Sequence, residues 1–167
     1  PKIRFVCEFS EQTPQENGLD AVRFLMSANV GEALRPLSKV ASGGELARIM
    51  LAMKNVLAAE DSVGTMIFDE VDAGVGGKTA VELGARLAKL AQSAQVIVVT
   101  HLPQVASWAD EQYVVAKGET DDGSIATTIN QVRGEARVHE IARMLSGSES
   151  EASLEHAEEL LKSSVLD

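Results

Sequence analysis

Met66-Ile67-Phe68-Asp69-Glu70, a short apolar run closed by two carboxylates, decides how this sequence is read. Thr65–Phe68 shows no polar alternation, the pattern of a strand buried on both faces. Lys78–Gln92 follows as a helix with Leu83, Leu87, Leu90 and Ala91 as its stripe, and Gln95–Thr100 is a second buried strand that runs into His101. Strand, helix and strand at this spacing form a βαβ unit, so the two strands are predicted parallel and the fold class α/β.

Working outward, Ser42-Gly43-Gly44-Glu45 opens a helical run to Leu57, with Leu46, Ile49, Met50, Met53 and Leu57 on its expected packing face. Ile3–Phe9 and Ala21–Ser27 read as strands, and the polar Glu11–Asp20, with Pro14 and Asn17-Gly18, as their connection. Asn29–Ser42 is an irregular approach segment. Downstream come a short helix (Gln104–Ala109) and two strands (Gln112–Ala116, Ile125–Val132) joined by the turn signal Asp121-Asp122-Gly123. Helices follow at Glu135–Leu145 and Glu149–Ser164, the second with Ser148 and Glu151 as a capping box. No repeat, low-complexity tract or linker interrupts residues 1–167, which predicts one domain.

Composition narrows the function classes. The 167 residues are enough for one domain with a core, and 45% hydrophobic with 24% charged residues is ordinary for a globular protein. A formal net charge of −10 argues against a broad electrostatic grip on nucleic acid. Cys7 is the only cysteine, which excludes an internal disulfide and a cysteine-based metal cluster and fits a reducing cytoplasm. No signal peptide or membrane-spanning run is visible. The start at Pro1, without methionine, suggests a fragment or a processed product.

Three places carry candidate chemistry. Ser42 and Glu45 have capping-box spacing, a purely structural arrangement. Two glycines behind the cap weaken the first helical turn with no packing benefit visible in the sequence, but they open its amides to an anion. Arg35, Lys39 and Arg48 add positive charge nearby. Asp69 and Glu70 at a strand end read either as a solvated turn or as two carboxylates pointing opposite ways. In the second reading Asp69 holds Mg²⁺, directly or through water, and Glu70 is the general base toward an attacking water. His101 reads either as a structural histidine before Pro103 or as a phosphate contact at the carboxyl end of a parallel strand. His139 and His156 lie on predicted helix surfaces and receive no role.

Asp72-Ala73-Gly74-Val75-Gly76-Gly77-Lys78-Thr79 matches the P-loop pattern except at its first glycine. Asp69, Glu70 and Asp72 would crowd a polyphosphate there, so the stretch reads as a glycine-rich loop beside the site. A self-sufficient small P-loop kinase using Gly77-Lys78-Thr79 remains an alternative, as does a non-catalytic module.

The order of these motifs resembles the second half of an ABC-type ATPase head. Leu37-Ser38-Lys39-Val40-Ala41-Ser42-Gly43-Gly44-Glu45-Leu46-Ala47-Arg48, Phe68–Gly77 and Val99-Thr100-His101-Leu102-Pro103-Gln104-Val105-Ala106 resemble the RecN family of SMC-like proteins of bacterial double-strand-break repair. Ser27–Glu32 is similar, and the resemblance runs from Phe5 to about Leu145. Gly76 stands where common ABC and SMC heads carry an aspartate and is similar to the RecN pattern itself.

The resemblance implies an α/β C-terminal head lobe with parallel strands carrying Walker B and the switch histidine, flanked by helices and additional antiparallel strands. It implies Asp69 as the Walker B aspartate, Glu70 as catalytic glutamate and His101 as switch histidine, with ATP and Mg²⁺ as cofactors. Ser42, Gly43, Gly44 and Glu45 become the signature toward the γ-phosphate of ATP on a second head, and so serve a different nucleotide from the other three residues. The partners implied are an N-terminal P-loop lobe on coiled-coil arms and a second head in an ATP-dependent dimer. DNA contact by this lobe alone is expected to be weak or absent. The implied place is the bacterial cytoplasm, at the nucleoid, and the isolated chain is expected to be inactive.

Overall fold

The computed structural model describes residues 3–16, 18–27, 31–39, 42–57, 63–119 and 123–166. Predicted features at Ala28–Val30, Val40-Ala41 and Asp121-Asp122 lie outside these residues. The parallel pair is present: β4 (Thr65–Phe68) pairs with β5 (Gln95–Val98), Phe68 opposite Val98, and the Val99 amide continues the ladder to the Phe68 carbonyl at 3.0 Å. The connecting helix α2 (Gly77–Ala91) buries Leu83, Leu87 and Leu90, as its periodicity predicts.

The expectation that β4 and β5 are buried on both faces is wrong for this chain. Ile67 is 70% exposed, and Ile97 and Val99 are exposed beside it. One face packs on α2 and α1 (Gly43–Leu57) through Leu51, Phe68, Val71 and Leu83, whereas no described element covers the other. The apolar run reports what a strand requires, not what two strands and this set of helices supply.

Helix α1 also packs on a different face from the one expected. Gly44 and Leu51 are buried and Ala47 joins the core, while Leu46, Met50 and Leu57 are exposed. The small residues face the loop after β4, where close approach decides the orientation.

At the amino end, β1 (Arg4–Gln15) and β2 (Gly18–Ser27) form one long antiparallel hairpin with an irregularity between Glu11 and Gln15. The predicted connection Glu11–Asp20 is therefore mostly strand, and the irregular ladder accommodates Pro14, which cannot donate to it. Phe5, Cys7 and Phe9 register with Met26, Phe24 and Val22 on one face, and the Phe5 and Phe24 rings stack at 5.6 Å. Within the approach segment, β3 (Arg35–Pro36) adds to β2 before a 3-10 turn (Leu37–Lys39).

Beyond β5, α3 is short (Pro103–Ala106), and Gly84 of α2 approaches it where a Cβ would strike Trp108 and the Gln104 carbonyl. The hairpin of β6 (Gln112–Glu119) and β7 (Ile125–Val132) leads to α4 (Glu135–Ser146) and α5 (Glu151–Ser163), which meet through fully buried Ile141, Ala142 and Ala157. Arg137 of α4 donates to the carbonyls of Ala106, Ser107 and Ala109, satisfying the open end of α3. Burial pulls its guanidinium below the ordinary arginine range, opposed by Asp110 and Glu111. The N-cap of α5 is Ser150, which accepts from the Ser153 amide, rather than the predicted Ser148. Ser148 instead bonds with Ser146. Among the described residues, no helix is long and apolar enough to cross a membrane.

Candidate functional site

Parallel pairing sends the ends of β4 and β5 out at the same edge, so Asp69-Glu70 and Thr100-His101 leave the sheet side by side. The amino end of α1 lies at that edge too. The distance from the missing Cβ of Gly43 to Glu70 Oε2 is 3.3 Å, and from that of Gly44 to the Glu70 carbonyl 2.9 Å, with Ala73 Cβ at 3.0 Å. The Gly-Gly pair thus has the packing benefit its sequence did not reveal: position 44 has no room for a side chain. In a single copy the glycines lie against Glu70 rather than apart from it.

The capping box forms as predicted. The Glu45 amide donates to Ser42 Oγ at 3.3 Å, and the Ser42 amide donates to Glu45 Oε2 at 2.9 Å. The Ser42 amide and hydroxyl hold the Glu45 carboxyl below its ordinary range, with Arg48 adding to the effect. Arg48, one of the positive charges near the helix start, donates from its guanidinium to the Val71 carbonyl at 3.0 Å and the Ala73 carbonyl at 2.9 Å. It ties helix α1 to the loop after β4.

Because β4 ends at Phe68, strand alternation does not extend to the two carboxylates. A positive φ of 55° sets the direction of Glu70, the one described non-glycine residue in that region. Such a conformation costs about 1–3 kcal/mol and persists where the surroundings impose it. Here the Glu70 amide donates to Asp69 Oδ1 at 2.9 Å, and the Glu70 carbonyl accepts from the Ala73 amide at 3.0 Å.

The residue that sequence reasoning passed over is Asp72. In the sequence it reads only as unwanted charge in a P-loop lookalike. Only 3% exposed, its Oδ2 accepts from Thr100 Oγ1 at 2.5 Å and from the His101 amide at 3.2 Å, and lies 3.3 Å from His101 Nδ1. The histidine side chain is 75% exposed.

Three sequence relatives match most of this chain. DNA repair protein RecN of Streptomyces coelicolor is 55% identical over 153 residues, which is 90% of this chain and 26% of that protein. RecN of Treponema pallidum is 48% identical over 94% of this chain and 28% of that protein. RecN of Bacillus subtilis is 46% identical over 88% and 26%.

Over about nine-tenths of its length the chain matches RecN proteins.

It spans about a quarter of the length of these RecN relatives. No family model matches it. Its fold is that of SMC ATPase heads. A structure from work on ATP-driven dimerization and DNA-stimulated activation of SMC ATPases superposes with a TM-score of 0.51 at 18% identity, covering 78% of this chain and 76% of that one. The Smc head domain with coiled coil and joint from Pyrococcus yayanosii gives 0.56 at 17% identity, covering 93% and 26%. The chain is therefore α/β with an SMC-head fold, carrying its antiparallel hairpins beside the parallel pair.

Proposed function

We propose that this chain is the C-terminal lobe of an SMC-like, ABC-type ATPase head that acts in DNA double-strand-break repair and recombination. The observation that carries the reading is the shared edge at which Asp69-Glu70 and Thr100-His101 leave the parallel strands β4 and β5. The uncovered β4–β5 face around Ile67 and Ile97 supports a second lobe, one that brings the P-loop.

In this reading the substrates are ATP and water. Glu70 accepts the proton of the attacking water as its oxygen bonds to the γ-phosphorus and the bond to the bridging oxygen breaks. His101 holds the terminal phosphate. Asp69 is exposed at the end of β4, and a single carboxylate fits Mg²⁺, which keeps phosphate and water ligands beside it. Asp69 would hold it, and the ion supplies charge neutralisation at the phosphates. Ser42, Gly43 and Gly44 present helix amides to the γ-phosphate bound by a second head, so that two copies complete two sites. Asp72, turned inward onto Thr100 and His101, speaks against the small-kinase reading of Gly77-Lys78-Thr79.

DNA is contacted mainly by other parts of the full protein, since this chain carries a net charge of −10. Its place is the bacterial cytoplasm, at the nucleoid. ATP turnover by the full-length protein, absent in Glu70→Gln and absent in the isolated chain, is the expected result. Brisk Glu70-dependent turnover by the isolated chain would refute the composite head.

A further inference from the structure

We propose that Asp72 is a positioning residue for His101: it holds the Nδ1 edge of the ring and leaves Nε2 as the nitrogen that meets a ligand. The inference rests on the functional reading above only for the identity of that ligand. Its structural part stands on distances. Asp72 Oδ2 accepts from the His101 amide at 3.2 Å and lies 3.3 Å from Nδ1, so the carboxylate oxygen that holds the backbone of this residue also sits beside its ring.

A carboxylate beside Nδ1 favours the tautomer that carries its proton there, whereas a free neutral imidazole prefers Nε2–H. The carboxylate is itself held in place. Arg48 grips the carbonyls of Val71 and Ala73 on either side of it, and Thr100 Oγ1 donates to it at 2.5 Å. An exposed histidine at a strand end would otherwise sample several rotamers.

The test uses the full-length protein labelled with [¹⁵N]histidine, His101 being assigned by the signals lost in His101→Gln. At a pH where the ring is neutral, His101 is expected to be protonated at Nδ1. Asp72→Ala should shift it to the Nε2–H form and lower kcat for ATP at least about tenfold with KM little changed. Asp72→Asn, which keeps an acceptor oxygen, should recover part of both. An Nε2–H ring in the wild type overturns the proposal even if the alanine variant does not fold. A full-length protein without ATPase activity but with the Nδ1–H ring would remove the functional reading and leave the positioning intact.

Discussion

Asp72 and Thr100, 28 residues apart in sequence, are joined by a hydrogen bond of 2.5 Å from the threonine hydroxyl to the carboxylate. The bond laces the loop after β4 to the end of β5. The same hydroxyl accepts from the Leu102 amide at 3.0 Å, so the threonine also shapes the turn into α3.

Thr100→Val keeps the shape and removes both hydrogen bonds, leaving a buried carboxylate short of one donor. The expected loss is about 1–3 kcal/mol of unfolding free energy, measured by urea denaturation. A valine variant as stable as the wild type would mean that the bond is not formed in solution.

Gly43→Ala and Gly44→Ala separate two kinds of crowding. At position 44 the new Cβ meets the Glu70 carbonyl and Ala73, so the loop itself must move; overpacking of this kind costs about 1–3 kcal/mol. At position 43 it meets the end of the Glu70 side chain, which can swing away. The expected order of melting temperatures is wild type and Gly43→Ala close together, with Gly44→Ala clearly below. The reverse order contradicts the packing of α1 described here.

Arg48→Ala should free the loop without emptying the core. Its two carbonyl partners lose a charged donor, at a cost of about 1.5–3 kcal/mol for each well-formed bond, reduced where water replaces it. Limited proteolysis should then cut between Val71 and Gly77 in the variant and not in the wild type. Unchanged protection there would assign the loop's order to other contacts.

Protonation of Glu45 gives a pH dependence of known sign. Its folded value is lowered by the Ser42 amide and hydroxyl, so its contribution is present above the ordinary glutamate range and disappears as the pH falls through the lowered value. The stability difference between wild type and Glu45→Gln should therefore shrink on acidification through that window. A difference that grows in acid has the wrong sign for this capping box.

The sequence showed clearly what is set by local rules. Apolar runs and a helical stripe predicted β4, α2 and β5 to within two residues, and the capping spacing predicted the Ser42–Glu45 pair. What it hid depends on distant neighbours. The packed face of α1 is chosen by Gly44 meeting the Glu70 loop, a contact across the chain that no helical period records. Pro14 and Asn17-Gly18 looked like a loop because a proline usually ends a ladder, yet the irregular pairing of β1 absorbs it. Arg48 and Asp72 looked like loose charges; their partners lie 23 to 29 residues away. The uncovered face of β4 and β5 was invisible for the opposite reason, since an apolar strand reads the same whether or not its cover is present.

In the proposed head, labour is divided: Glu70 would serve the nucleotide of its own head, and Ser42-Gly43-Gly44 the nucleotide of a neighbour. Mixing two inactive full-length variants, Glu70→Gln and Ser42→Arg, tests it directly. In a mixed dimer one site receives both lesions and the other receives none. Equal mixing of exchanging dimers should then restore about a quarter of wild-type ATP turnover, since half the dimers are mixed and each has one intact site. If both groups serve the same nucleotide within one head, each variant spoils its own site and the mixture stays as inactive as its components. That result would contradict the account.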